Sequence, residues 1–294
     1  MNFDVFDEDI DEELYYQYFR SLFFPNSTAT SIDCNISRPT ERTYRKGAVL
    51  NRVRRINPKD IKKFMYNDIK IDEFFPPQPN KIHIPSGRLN SENQSIIYMA
   101  DNCEVAMSEC NIVKEDYFLL INLEIKKDMR FLEVGCTRGE TKLSNCLFNL
   151  MNTQDKRFYG LITRIFRDFF DYYEHNGIIY NSTRIEKSNP THEGGKFNFA
   201  IKGNNRKSLQ LKSAFLMHLG NDEKLYPHVL YEPLSKKKKN RLKIKRFTNN
   251  KKQCDKLIDT HGKKIIDGQQ KNKMLLKKEE EKTHPDILFK IFEK

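Results

Sequence analysis

The sequence predicts an α+β domain, a mixed β-sheet core with flanking helices, preceded by a helical N-terminal extension and followed by a basic C-terminal tail. Three observations carry this expectation. Strand-like and helix-like segments follow one another in mixed order, without the strict βαβ alternation of a doubly wound sheet. Hydrophobic residues make up 38% of the 294 positions, with 21 Phe and 13 Tyr, so a sizeable core can be buried although Trp is absent. The charge sits at one end: residues 236–278 hold 15 Lys and 2 Arg against 3 Asp, residues 279–294 are net −2, and the formal +12 leaves residues 1–235 neutral. A neutral core argues against a broad nucleic-acid-binding surface. The expected organisation is therefore an acidic and aromatic extension over 1–46, one domain over 47–235 and a lysine-rich tail over 236–294, mobile or partly helical.

Taken in order, the segment up to Phe24 is acidic, then aromatic, and stops at Pro25-Asn26-Ser27, which predicts a short amphipathic helix packed on the main domain. From Gly47, Val49, Leu50 and Val53 alternate with polar residues as a strand until Pro58, and Pro76, Pro77 and Pro79 mark a loop. Ser95–Ala100 reads as a strand feeding a helix, with Asp101 and Glu104 as a capping pair. On that helix Glu109 falls on the face of Val105 and Ala106, an uncommon place for a solvating carboxylate. Phe118–Ile125 and Arg130–Val134 read as strands around a turn at Lys126–Asp128. Ile162, Ile165, Phe166, Phe169, Phe170 and Tyr173 have helical spacing, with Asn176-Gly177 as the expected cap and Gly177 at positive φ. Ile178–Tyr180, Phe197–Ile201 and Ser213–Leu219 complete the apolar runs.

Six scattered cysteines without metal-ligand or CxxC spacing read as reduced thiols. No run approaches the roughly 20 apolar residues of a membrane span, and nothing resembles a signal peptide, so a cytoplasmic location is expected. Thr191-His192-Glu193-Gly194-Gly195 lacks the HExxH or P-loop spacing and reads as a turn; no metal is expected.

Four places stand out together: Arg52 in Asn51-Arg52-Val53-Arg54-Arg55; Gly87-Arg88-Leu89-Asn90; Ile97-Tyr98-Met99-Ala100 followed by Ala106-Met107-Ser108-Glu109; and Gly177-Ile178-Ile179-Tyr180-Asn181-Ser182. Their order and spacing, over about half the chain from Gly47 to Gly203, resemble the RES domain, named for its Arg, Glu and Ser. The resemblance implies an ADP-ribosyltransferase-like fold that binds NAD⁺ in a cleft and degrades it as a phosphorylase or glycohydrolase, often as the toxin of a toxin–antitoxin pair. It places the family's functional residues on Arg88, Tyr98, Glu109 and Ser182, with Arg52 as a further arginine and Arg54 or Arg55 as alternatives to it; Asn90 belongs to the same turn as Arg88.

The residue types suit that chemistry. A guanidinium offers a pyrophosphate bidentate, charge-assisted bonds, which fits Arg88 and Arg52. Tyr98 can cover a nicotinamide ring and hydrogen-bond through its hydroxyl. Glycosidases use two carboxylates because the leaving oxygen must be protonated, whereas nicotinamide leaves as a neutral molecule and requires no general acid. A single carboxylate, Glu109, then suffices to hold the ribose and stabilise its developing positive charge. Ser182 has no His near it in sequence and reads as a positioning residue. NAD⁺ is the expected substrate, inorganic phosphate or water the acceptor, and a small DNA-binding antitoxin and self-association are possible partnerships. Two rivals stay open: transfer of ADP-ribose to a macromolecule, and a non-catalytic protein whose basic tail contacts nucleic acid or acidic surfaces.

Overall fold

The computed structural model describes residues 7, 9–26, 28, 41–80, 82–136, 141–153, 155–171, 173–185, 196–234 and 241–247, with isolated positions 256, 259, 260 and 263. The elements are α1 (Glu12–Phe23), β1 (Glu41–Tyr44), β2 (Val49–Arg55), α2 (Ile61–Tyr66), β3 (Ile96–Ala100), α3 (Cys103–Glu109), β4 (Tyr117–Ile125), β5 (Met129–Glu133), α4 (Lys142–Asn152), α5 (Tyr159–Ile165), β6 (Gly177–Asn181), β7 (Phe197–Lys202), β8 (Leu209–Leu219), β9 (Leu225–Pro233) and β10 (Leu242–Arg246). The α+β expectation holds. Ten strands form one mixed sheet in the order β1-β5-β6-β7-β3-β2-β4-β8-β9-β10. β5 and β6 run parallel and the other neighbours antiparallel.

Side chains alternate across a strand, and the alternation assigns each residue to a face. Ile97 and Met99 of β3, Leu119 and Ile121 of β4, Ile179 of β6 and Phe199 of β7 join one continuous apolar cluster, which Phe64 of α2 and Phe74 cover. Their neighbours face the other way and divide between two clusters. Ile96, Ile178, Tyr180 and Ala200 pack under α1, α4 and α5, while Ala100, Val53, Leu120 and Phe215 pack under α3. The sheet is thus sealed on one face and covered in two separate blocks on the other.

The N-terminal helix docks as its pattern predicts. Asp11 caps it by accepting from the Glu13 N–H, Glu12 and Glu13 occupy its first turn, and Tyr15, Tyr16 and Phe19 are buried. Glu13 also pairs with Arg164 of α5 at 2.5 Å, and Phe23 stacks on Phe169 with ring centroids 4.3 Å apart.

Several expectations need correction. The sheet extends past both ends of the 47–235 interval. β1 lies before Gly47, and β10, drawn from the basic run, pairs along β9 from Leu242–Pro233 to Arg246–Val229. Leu242 and Ile244 pack partly against the sealed-face cluster, which supplies the apolar anchor that the lysines obscure. The helix expected to run to Tyr173 is regular only to Ile165, continues as a π turn over Phe166–Phe170, and leaves Tyr173 98% exposed. Gly177 is not a positive-φ cap but the first residue of β6, where a Cβ would meet the Ala200 carbonyl oxygen at 2.1 Å; the glycine serves close strand approach. The α3 cap is Asn102 rather than Asp101, its side chain accepting from the Val105 N–H at 2.9 Å. α4 was not foreseen, although Leu143, Cys146, Leu147, Leu150 and Met151 give it a buried helical stripe.

Candidate active site

β2 and β3 are adjacent in the sheet yet share a single registered pair, Asn51–Ala100. Beyond that pair they part, and a cleft of about 740 Å³ opens on the divided face, between the block under α4 and α5 and the block under α3. Five of the six sequence-predicted residues line it: Arg52, Arg88, Asn90, Tyr98 and Glu109. Ser182 lies behind the lining, 4% exposed, where it touches Glu109.

Arg52 takes over where the ladder stops. Its guanidinium donates to the Tyr98 carbonyl at 3.2 Å, bridging the diverging strands, while its Nε is buried without a partner. Burial pushes this guanidinium down to about 10, with the neighbouring Arg54 adding to the fall and Cys110 opposing it, so it remains charged at neutral pH. Arg54 is bound to Glu73 and Arg55 to Asp116, and neither lines the cleft, which leaves Arg52 as the β2 arginine of the site.

Arg88 sits on the tight turn Gly87–Asn90, closed by a bridge between its end residues. A Cβ at Gly87 would meet Asn90 Oδ1 at 2.5 Å, so the turn requires glycine there. Asn90 is consumed by this turn: its amide donates to the Pro85 and Ser91 carbonyls and its oxygen accepts from the Tyr98 hydroxyl. That hydroxyl also accepts from the Leu89 N–H at 3.2 Å. The Tyr98 phenol, pushed up to about 12 by burial, therefore holds the turn while the residue faces the cleft. Arg88 itself donates to the Met151 carbonyl at the end of α4 and lies over the Tyr180 ring at 5.5 Å and the Tyr159 ring at 6.0 Å. Its Nε is a second buried donor without a partner.

Across the cleft, α3 is fixed by burial of Val105 and Ala106, and it carries Glu109 in its last turn. Ser182 Oγ donates to Glu109 Oε1 at 2.6 Å, a length typical of a charge-assisted O–H···O⁻ bond. The same oxygen accepts from the Arg184 and Ile185 N–H groups at 3.3 and 3.2 Å, and Arg184 donates to the Glu109 carbonyl at 3.0 Å. A serine whose proton is given to a carboxylate and whose oxygen accepts two backbone N–H groups orients that carboxylate.

The lining also includes Asn51, Asn198, Thr153, Tyr159, Thr183 and Arg184, none of which the motifs singled out. For Asn51 and Asn198 a signal exists in the sequence: an amide inside a strand, between Leu50 and Arg52 or between Phe197 and Phe199, is an exception to the apolar pattern. The Thr191–Gly195 segment lies outside the described residues. Among the described residues no group of three or more His, Cys, Asp or Glu converges as a metal site, four cysteines are free thiols, and no helix is long and apolar enough to cross a membrane. No protein-family model, curated protein or solved structure matches the chain.

Proposed function

We propose that the chain is an NAD⁺-degrading enzyme that cleaves the nicotinamide–ribose bond in this cleft. The observation that carries the reading is the Ser182–Glu109 bond of 2.6 Å at the wall of a cleft whose other side presents Arg88. The finer fold assignment, an ADP-ribosyltransferase-like core, belongs to the same proposal and rests on the motif resemblance.

The chemistry follows from the charges. Arg52 and Arg88 each carry a buried, unpaired N–H beside the cleft, and a pyrophosphate supplies acceptors of the matching charge. The cleft volume falls inside the roughly 300–1,000 Å³ range of ligand pockets. When the bond breaks, its electron pair goes to the pyridinium nitrogen, nicotinamide departs neutral, and positive charge appears on the ribose. Glu109, with one oxygen fixed by Ser182, stabilises that charge. An oxygen of phosphate or water then bonds to the ribose carbon; with water, one proton is released.

Purified full-length protein should consume NAD⁺ and release nicotinamide, with ADP-ribose or its phosphorylated form separating hydrolysis from phosphorolysis. Glu109→Gln should lower turnover by about a hundredfold to a thousandfold, the effect of losing a preorganised electrostatic group. Unchanged turnover in folded Glu109→Gln would remove the assignment.

A further inference from the structure

The register of the sheet aligns a buried polar row on the divided face. Tyr180 of β6 pairs with Asn198 of β7, Asn198 with Ala100 of β3, Ala100 with Asn51 of β2, and Asn51 with Asn122 of β4. Asn51 is 1% and Asn198 3% exposed, yet both line the cleft and flank the small Ala100. Asn122 lies outside the lining and donates to Ser213 Oγ at 3.0 Å, with its Oδ1 buried without a partner. The two amides beside Ala100 are the ones at the cleft. Asn51 Oδ1 and Asn198 Nδ2 are buried without a hydrogen-bond partner, one an acceptor and the other a donor. The Asn51 orientation is set by its own Nδ2, which donates to the Asp101 carbonyl at 3.4 Å, an oxygen that can only accept.

Leaving both groups unpaired costs about 1–3 kcal/mol each, a penalty that a ligand entering the cleft would relieve at Asn51 and Asn198. Strands two apart are separated by about 9.6 Å, and two hydrogen bonds of about 2.9 Å leave a gap of about 4 Å, room for one planar group with a donor and an acceptor side by side. A primary carboxamide has that pair. Its N–H meets Asn51 Oδ1 and its C=O meets Asn198 Nδ2. We infer that Asn51 and Asn198 form a carboxamide-reading subsite over Ala100, which selects nicotinamide and rejects the corresponding carboxylic acid.

This rests on the NAD⁺ reading for its ligand, and the placement along the strands agrees with it. Ser182 continues the β6 ladder through its N–H to the Lys196 carbonyl, one pleat repeat, about 6.6 Å, beyond Tyr180 and the Asn198 row. Glu109, bonded to Ser182, therefore stands on the side of the row that Ser182 extends. On the other side of the row stands Tyr98, two residues before Ala100 on the same face of β3. A carboxylate in the subsite would meet Asn51 Oδ1 acceptor to acceptor, which supplies the discrimination.

Direct binding of nicotinamide and of nicotinic acid to the full-length protein, followed by ligand-observed NMR, tests the subsite apart from catalysis. Nicotinamide should bind at least about tenfold more tightly than nicotinic acid. Asn51→Ala should bring the ratio close to one, and Asn198→Ala should weaken nicotinamide binding by about tenfold, with thermal melts verifying that both fold. Equal binding of the two ligands to the native protein, a preference that survives in folded Asn51→Ala, or nicotinamide binding unchanged in folded Asn198→Ala overturns the inference. So does AMP displacing nicotinamide with its own affinity lost in the same variants, since the row would then read adenine. Nicotinamide preference without NAD⁺ turnover would uphold the subsite and defeat the enzymatic reading; turnover without preference would do the reverse.

Discussion

The two faces of the sheet solve different problems with the same strands. One is a single apolar cluster running from Phe131 on β5 to Val229 on β9, with every strand contributing side chains of similar character. The other is interrupted: Leu150, Ile162 and Phe169 gather over one half, Val105 and Ala106 over the other, and between them lie Asn198, Asn51 and a cleft. Cohesion is concentrated where the strands agree, and the candidate site opens where the covering helices leave a gap. Polar groups in that gap are buried by the sheet beneath without being used by it.

If this division is right, substitutions on the two faces should separate stability from activity. The largest stability change is expected on the sealed face. Leu216, fully buried on β8 and remote from the cleft lining, should cost about 2–5 kcal/mol when changed to Ala, measured by urea unfolding, while NAD⁺ turnover per folded molecule stays at its native value. A large fall in turnover of the folded fraction would break the comparison.

Ser182→Ala inverts the pattern. It removes the donor to Glu109 and the acceptor for two N–H groups, so about 1–3 kcal/mol of stability should go, together with about a tenfold to hundredfold fall in turnover as the carboxylate loses its orientation. Turnover unaffected by this change would reduce Ser182 to a loop-closing residue.

The smallest effect belongs to the rim. Glu41 of β1 bonds Arg130 and His175, and these bonds outweigh its burial and hold its carboxyl below the usual range. Burial keeps the His175 imidazole below 6.5 in spite of Glu41, so the ring is neutral at pH 7. Both values are depressed on folding, so both contributions are complete above the unfolded values and fade as pH falls, from about 6.5 for the histidine and from about 4.3 for the glutamate. The melting temperature should decline across those two windows, and Glu41→Gln should flatten the lower one while costing no more than about 1 kcal/mol at pH 7. A melting profile flat in pH would contradict it.

Much of this arrangement is legible in the residues. β3, β4, β6 and β7 announce themselves by alternating or continuous apolar runs, and the motif order brings Arg52, Arg88, Tyr98 and Glu109 to one cleft with Ser182 directly behind it. Other elements are hidden for physical reasons. β9 contains Pro227, which argues against a strand, but it stands opposite Met217 where the register shifts and a ladder N–H can be dispensed with. β1 and β10 are short and charged because they lie at the rims, and rim strands need only one apolar flank. The division of labour within the site was also invisible. Asn90 and the Tyr98 hydroxyl spend their hydrogen bonds on the Gly87–Asn90 turn, whereas Asn51, quoted only as the neighbour of Arg52, and Asn198, outside every motif, each keep one polar atom open.

The rim strand β10 has one more consequence. Among the described residues the ten-strand sheet does not close, and it ends in two edge strands of the kind onto which another chain's backbone can add. Here one edge is Glu41-Arg42-Thr43-Tyr44 and the other Leu242-Lys243-Ile244-Lys245-Arg246. On the latter Lys243 is exposed, Lys245 pairs with Glu232 at 3.5 Å, and Arg246 donates to the Met65 and Tyr66 carbonyls. Charged side chains on an edge strand work against edge-to-edge pairing, so the lysines that hide β10 in the sequence suit it to the rim.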